Sequence, residues 1–150
     1  LKQSLPIIGI TGMGGALGQI IKNMDVISWF KNIDGFNSLG IIIPFLIAAS
    51  IKTAQGSSTV AIITSASIIY PMLSVFGLEN ELGKTLAILS IGVGSMTVSH
   101  ANDSYFWIVS QFSEMSISTT YKTHTIATLI QGISGILILL IAFKIILFMQ

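Results

Sequence analysis

Ser38-Leu-Gly-Ile-Ile-Ile-Pro-Phe-Leu-Ile-Ala-Ala-Ser50 is apolar, Lys52-Thr-Ala-Gln-Gly-Ser-Ser-Thr59 is small and polar, and the chain from Val60 to Phe76 is apolar again. A spanning helix needs roughly 20 apolar residues to cross a hydrocarbon core of about 30 Å. The first arm, as a helix rising 1.5 Å per residue, reaches only about 20 Å. A short arm, a polar tip and a second apolar arm predict a re-entrant helical hairpin over residues 38–76. The alternative is two ordinary helices joined at a membrane surface, with Lys52 among the headgroups.

The composition supports a membrane setting. Only 9% of the 150 residues are charged, and 52% are hydrophobic; mean hydropathy is +0.86. Soluble domains carry about 25% charged residues to keep their surface solvated. The formal net charge is +1 and the seven Lys are scattered, which excludes a nucleic-acid partner needing clustered cations. Cysteine is absent, so disulfide frameworks and thiolate metal sites are excluded. The chain opens on Leu1-Lys-Gln-Ser4, without an initiator Met or a signal-peptide layout, and reads as a piece of a longer protein.

Three further blocks flank the hairpin. Residues 5–30 begin with a glycine-rich stretch and end with Lys22, Asp25 and Trp29, as suits a helix leaving the hydrocarbon for the interface. Residues 81–112 run through apolar Leu86–Val93 into Gly94-Ser-Met-Thr-Val-Ser-His-Ala-Asn-Asp-Ser104. Ionisable groups in a membrane segment are costly and mark substrate or ion pathways. Irregular backbone at that depth is tolerated only where protein or a wet cavity satisfies it. A discontinuous helix broken between about Gly94 and Ser104 meets both conditions. Residues 124–149 form the last span, with Lys144 near enough to its end to snorkel. The fold class expected is therefore an all-α membrane protein with spanning helices, a re-entrant hairpin and a discontinuous helix. No internal repeat is visible, so an inverted-repeat partner half is expected upstream.

The candidate site residues lie at the tip and at the break. Gln55 and Gly56 permit a reversal, and Ser57, Ser58 or Thr59 can cap the helix that follows. A helix N-terminus at mid-membrane offers free N–H groups and partial positive charge to a carboxylate. Gln55 and the hydroxyls suit a polyhydroxylated ligand, although Ser and Thr also back-bond within membrane helices. At the break, Ser95, Ser99, Asn102 and Ser104 can line a polar cavity, and Asn102 or Asp103 can cap a second half-helix. His100, with an ordinary pKa near 6.5, and Asp103 are the candidate proton carriers. The alternative is a structural pair in which His100 and Asp103 satisfy each other.

Other motifs point elsewhere. Thr11-Gly-Met-Gly-Gly15 lacks the Lys-Ser/Thr of a phosphate loop and suits close helix packing. There is no Gly-x-Ser-x-Gly elbow, which weighs against an intramembrane enzyme built on Ser99, His100 and Asp103. His100 and His124 lack metal-ligand spacing, and no metal or cofactor is expected. Trp29 and Tyr121 suit interface anchors; Phe106 and Trp107 suit the wall of the break. Lys22 and Lys31 weakly favour a cytoplasmic loop after the first block.

Ile10-Thr-Gly-Met-Gly-Gly-Ala-Leu-Gly-Gln-Ile-Ile-Lys22, Ala54-Gln-Gly-Ser-Ser-Thr-Val-Ala61 and Ser99-His-Ala-Asn-Asp-Ser-Tyr-Phe-Trp107 together resemble the gluconate permease (GntP-type) family. Their order and spacing are similar to the C-terminal third of those proteins, and the similarity extends through Thr120-Tyr-Lys-Thr123 into the last helix. The resemblance implies a proton-coupled symporter of gluconate or a related small organic anion, multi-pass in the cytoplasmic membrane of a bacterium. Members also handle D-serine, idonate, fructuronate or glycerate. It implies, too, the second hairpin and second broken helix of an inverted-repeat transporter, completed by the upstream half of the same chain. Homo-oligomerisation is left open. Ala101 and Tyr105 depart from the family pattern, where Val and Gly or Ala are common, and this bears on substrate choice.

Overall fold

The computed structural model describes residues 40–148, together with positions 16 and 20. The expected first block (5–30), its glycine-rich motif and Trp29 lie outside the described residues.

Every regular element among the described residues is helical. Helix α1 (Ile42–Gln55) ends at Gly56, whose left-handed φ of +77° turns the chain, and its N–H closes on the Lys52 carbonyl. Only Gly56 and Ser57 separate α1 from α2 (Ser58–Ile69), where the Ser57 hydroxyl accepts from the Val60 N–H as N-cap. The polar stretch from Lys52 to Gln55, expected as part of the hairpin's tip, is the last turn of α1. Ser58 and Thr59 are already the first turn of α2. The second arm passes into a 3₁₀ turn at Tyr70–Met72, with Pro71 placed where its missing N–H is harmless, and stops short of Phe76.

Asn80 caps α3 (Glu81–Ser95) through the Gly83 N–H. The chain is then irregular until α4 (Ser104–Phe112), which Asp103 caps through the Tyr105 N–H. The break at residues 96–103 falls where the polar run predicts it. A short helix α5 (Ile117–Thr120), capped by Ser116, leads through a π-helical turn at Tyr121–Thr125 into α6 (Ile126–Phe148). The last helix thus starts earlier than its apolar block, because Ser116 starts it.

The core gathers Ile41, Phe45, Ala48, Ile69, Leu86, Ile91 and Ile136 from the faces where α1, α2, α3 and α6 meet. Small residues set the spacing. A Cβ on Gly94 would lie 2.4 Å from the Phe45 carbonyl oxygen, so α1 and α3 touch backbone to backbone there. A Cβ on Gly132 would lie 2.1 Å from Thr97 Oγ1, and one on Gly135 2.6 Å from Val93 Cγ1. Helix α6 therefore lies directly on the end of α3. Its opposite face is bare and apolar: Ile130, Leu137, Ile138 and Ile141 are all more than half exposed. The continuous helix Ile117–Ile146 is long and apolar enough to cross a membrane.

Candidate functional site

The tip of the α1–α2 hairpin sits against the break between α3 and α4. The contact is made by backbone. A Cβ added to Gly56 would lie 2.1 Å from the Asn102 carbonyl oxygen and 3.0 Å from the Asp103 nitrogen. Two helix N-termini, at Ser58 and Ser104, converge at this contact.

Asp103 is the centre of the cluster. Its Oδ2 accepts from Lys52 Nζ at 2.6 Å and from Ser99 Oγ at 2.5 Å. Its Oδ1 accepts from the Tyr105 N–H at 3.0 Å. The Lys52 ammonium also donates to the Gly56 carbonyl at 2.8 Å, so one side chain ties the helix end, the tip and the break together. Lys52 and Asp103 form a buried ion pair, their side chains only 4% and 8% exposed. Lys52 is therefore held by protein groups and not extended into solvent. It is not among the site residues expected from sequence, since a Lys at a helix end ordinarily snorkels.

His100 does not pair with Asp103. Its Nε2 lies 3.0 Å from the Thr53 carbonyl oxygen, to which Asn102 Nδ2 also donates at 2.7 Å. Both residues thus lace the break to the last turn of α1, because the carbonyls of that turn have no helical donor of their own. Ser99 is buried and held from the opposite side. Its N–H donates to Thr128 Oγ1 at 3.0 Å and its carbonyl accepts from Thr125 Oγ1 at 2.7 Å. Just before it, Val98 has a φ of +55°, a left-handed conformation that is strained for a β-branched residue.

Of the expected site residues, Gly56, Ser57, Ser99, His100, Asn102, Asp103 and Ser104 come together. Gln55 and Thr59 flank the tip with exposed side chains, and Ser58 is half-buried. Ser95 does not join the cluster: it is buried within α3, its hydroxyl bonded to the Gly92 carbonyl at 2.7 Å. Tyr121 lies against Phe106 with ring centroids 4.9 Å apart, and His124 against Tyr105 at 5.6 Å. Tyr121 therefore packs α4 onto the start of the last helix, whatever its depth. Among the described residues no group of three or more His, Asp or Glu is placed to hold a metal ion.

Comparison with known proteins identifies the chain. The family model described as GntP family permease matches residues 1–146. The gluconate permease of Pseudomonas aeruginosa is 35% identical over 147 residues, covering 94% of this chain and 31% of that protein. The inner membrane permease YgbN of Escherichia coli K12 is 33% identical over 139 residues, covering 92% of this chain and 30% of that protein. The low-affinity gluconate transporter of the same strain is 32% identical over 141 residues, with 92% and 31% covered. The chain thus spans about a third of the length of the curated relatives it matches. No solved structure matches it. The intramembrane-enzyme alternative is set aside, since the relatives are named as permeases and transporters. The chain belongs to the GntP family of permeases, which are membrane proteins and not enzymes.

Proposed function

We propose that this chain supplies one wall of the substrate site of a secondary transporter carrying a small sugar acid or hydroxy acid, gluconate-like, with protons as the coupling ion. The membrane is the cytoplasmic membrane of a bacterium. The observation that carries the reading is the meeting of hairpin tip and broken helix, with two helix N-termini at the contact. Helices of 14 and 12 residues reach about 21 and 18 Å, short of a bilayer core of about 30 Å. Arms of that length support reading the pair as a hairpin that enters and returns, with its tip at mid-membrane.

A carboxylate has donors there in the first turn of α2, around Ser57, Ser58 and Thr59. Gln55, Asn102 and Ser104, exposed beside it, offer amide and hydroxyl groups to a polyhydroxylated chain. The opposite wall comes from the upstream remainder of the full-length protein. His100 and Asp103 are the candidates for carrying the proton. Gluconate names in the relatives favour a sugar acid over D-serine.

The test uses the full-length permease in proteoliposomes. Labelled gluconate should accumulate when an inward proton gradient is imposed, and a panel of sugar acids and D-serine should rank as competitors. His100→Ala or Asp103→Asn should reduce the proton-driven component. Failure to move any organic anion under any gradient removes the transport reading. Wild-type proton-driven uptake in both variants removes the coupling assignment and leaves the fold intact.

A further inference from the structure

We propose that Lys52 is the anchor for the substrate's carboxylate, and that it exchanges between Asp103 and the substrate as Asp103 takes up a proton. This rests on the transport reading of the same site and adds to it the residue that joins the two ions.

The donors around Asp103 form a carboxylate receptor built from three elements. An ammonium arrives from α1, a hydroxyl from the break and a backbone N–H from the first turn of α4. In the described structure the protein's own carboxylate fills it. A substrate carboxylate has the same chemistry as the group in place and competes for the same donors. The ammonium has three hydrogens, and among the described residues only Asp103 and the Gly56 carbonyl receive them. Among the described residues the third has no acceptor, so it is the one an incoming anion would take. Gln55 and Ser57 flank Gly56 in the tip, and Asn102 meets Gly56 from the break.

A stabilising role accounts poorly for this pair. Replacing a buried ion pair by apolar residues is often neutral or better, and in a membrane an intramembrane charge marks function. Charge balance supplies the role. Lys52 with Asp103 is neutral. If a proton adds to an Asp103 oxygen and an anion takes its place on the ammonium, the site is neutral again, with no covalent bond between heavy atoms altered. Proton alone leaves an uncompensated positive charge, and anion alone an uncompensated negative one; both are expensive in low dielectric. Binding of the two is therefore linked.

Among the described residues the groups facing Asp103 are few. Lys52 approaches from α1; from its own segment come Ser99 and the Tyr105 N–H. From the last helix Thr125 and Thr128 reach Ser99 rather than the carboxylate. His100 is engaged with Thr53, and His124 faces the rings of Tyr105 and Phe106.

The full-length permease in nanodiscs is titrated with gluconate at mildly acidic and mildly alkaline pH, and proton uptake is followed with a dye in weak buffer. Wild type should bind more tightly in acid and take up roughly one proton per gluconate. Asp103→Asn should bind with little dependence on pH and no proton uptake. The double variant Lys52→Gln/Asp103→Asn carries no unpaired charge, so it folds even if the single one does not. Its affinity should fall about 10- to 100-fold at both pH values, the worth of a charged hydrogen bond. Wild-type affinity in the double variant overturns the anchor. Wild-type proton uptake in Asp103→Asn, or its loss in His100→Ala alone, overturns the exchange. In both cases gluconate binding by wild type leaves the transport reading standing; a wild type that binds no sugar acid removes both.

Discussion

Replacing Gly56 by alanine tests whether the hairpin tip rests on the break. The added Cβ would sit 2.1 Å from the Asn102 carbonyl oxygen and 2.5 Å from its carbon. Ordinary contact lies near 3.5 Å, so backbone must retreat by more than about 1 Å. Neither side is a flexible side chain. Overpacking of this kind costs about 1–3 kcal/mol, and the left-handed φ of +77° adds about 1–2 kcal/mol for any residue with a Cβ. A total near 3 kcal/mol shifts the docked-to-undocked equilibrium of the tip by roughly two orders of magnitude. Gly92 is the control, since among the described residues a Cβ there meets nothing within 4 Å and alanine favours a helix. In the full-length protein, Gly56→Ala should lower the thermal midpoint in detergent and abolish proton-driven gluconate uptake, while Gly92→Ala leaves both near wild type. Wild-type stability and uptake in Gly56→Ala would refute the tip-to-break contact as the basis of the site.

The remaining predictions concern the supports of that contact. Lys52→Met strands a buried carboxylate and should destabilise by about 3–5 kcal/mol, whereas Lys52→Met/Asp103→Leu recovers most of the loss; thermal unfolding of the two variants distinguishes them. Gly132→Ala forces a Cβ against Thr97 and should lower the midpoint by the equivalent of about 1–3 kcal/mol, with partial rescue by Thr97→Ala. Thr125→Val and Thr128→Val each remove one bond to the Ser99 peptide and should cost about 1–3 kcal/mol, because a buried backbone group is left unmet. Their double variant should depart from additivity, as residues sharing one partner do, and hydrogen exchange at Ser99 reads the effect directly.

Much of this architecture is written in local pattern. The position of the break follows from the density of polar residues between Gly94 and Ser104, and the caps at Ser57 and Asp103 follow from residue types next to apolar runs. What local pattern lacks is the pairing of distant segments. Lys52 and Asp103 are 51 residues apart, and nothing near Lys52 tells a buried partner from a headgroup. The same pairing explains why α1 runs on to Gln55 through residues whose hydropathy suggests a loop. Its last turn is polar because it bonds the break, through the Lys52 side chain and the Thr53 carbonyl. Ser95 shows the opposite error: a serine beside a break reads as site-lining, yet its hydroxyl has a carbonyl within its own helix. The early start of the last helix has no hydropathy signal, because Ser116 begins it before the apolar run does.

Ser99 is gripped at both ends of its peptide by Thr125 and Thr128, one turn apart on the last long helix. That grip works like a crank pin. Sliding the break along the helix or swivelling it beneath costs both bonds. A rearrangement of the tip-facing cluster that leaves the long helix in place must break both bonds at Ser99. The opposite seam is fastened too, by the Lys52–Asp103 pair and by the Thr53 carbonyl that His100 and Asn102 both reach, so the end of α1, the break and the long helix form one continuous linkage.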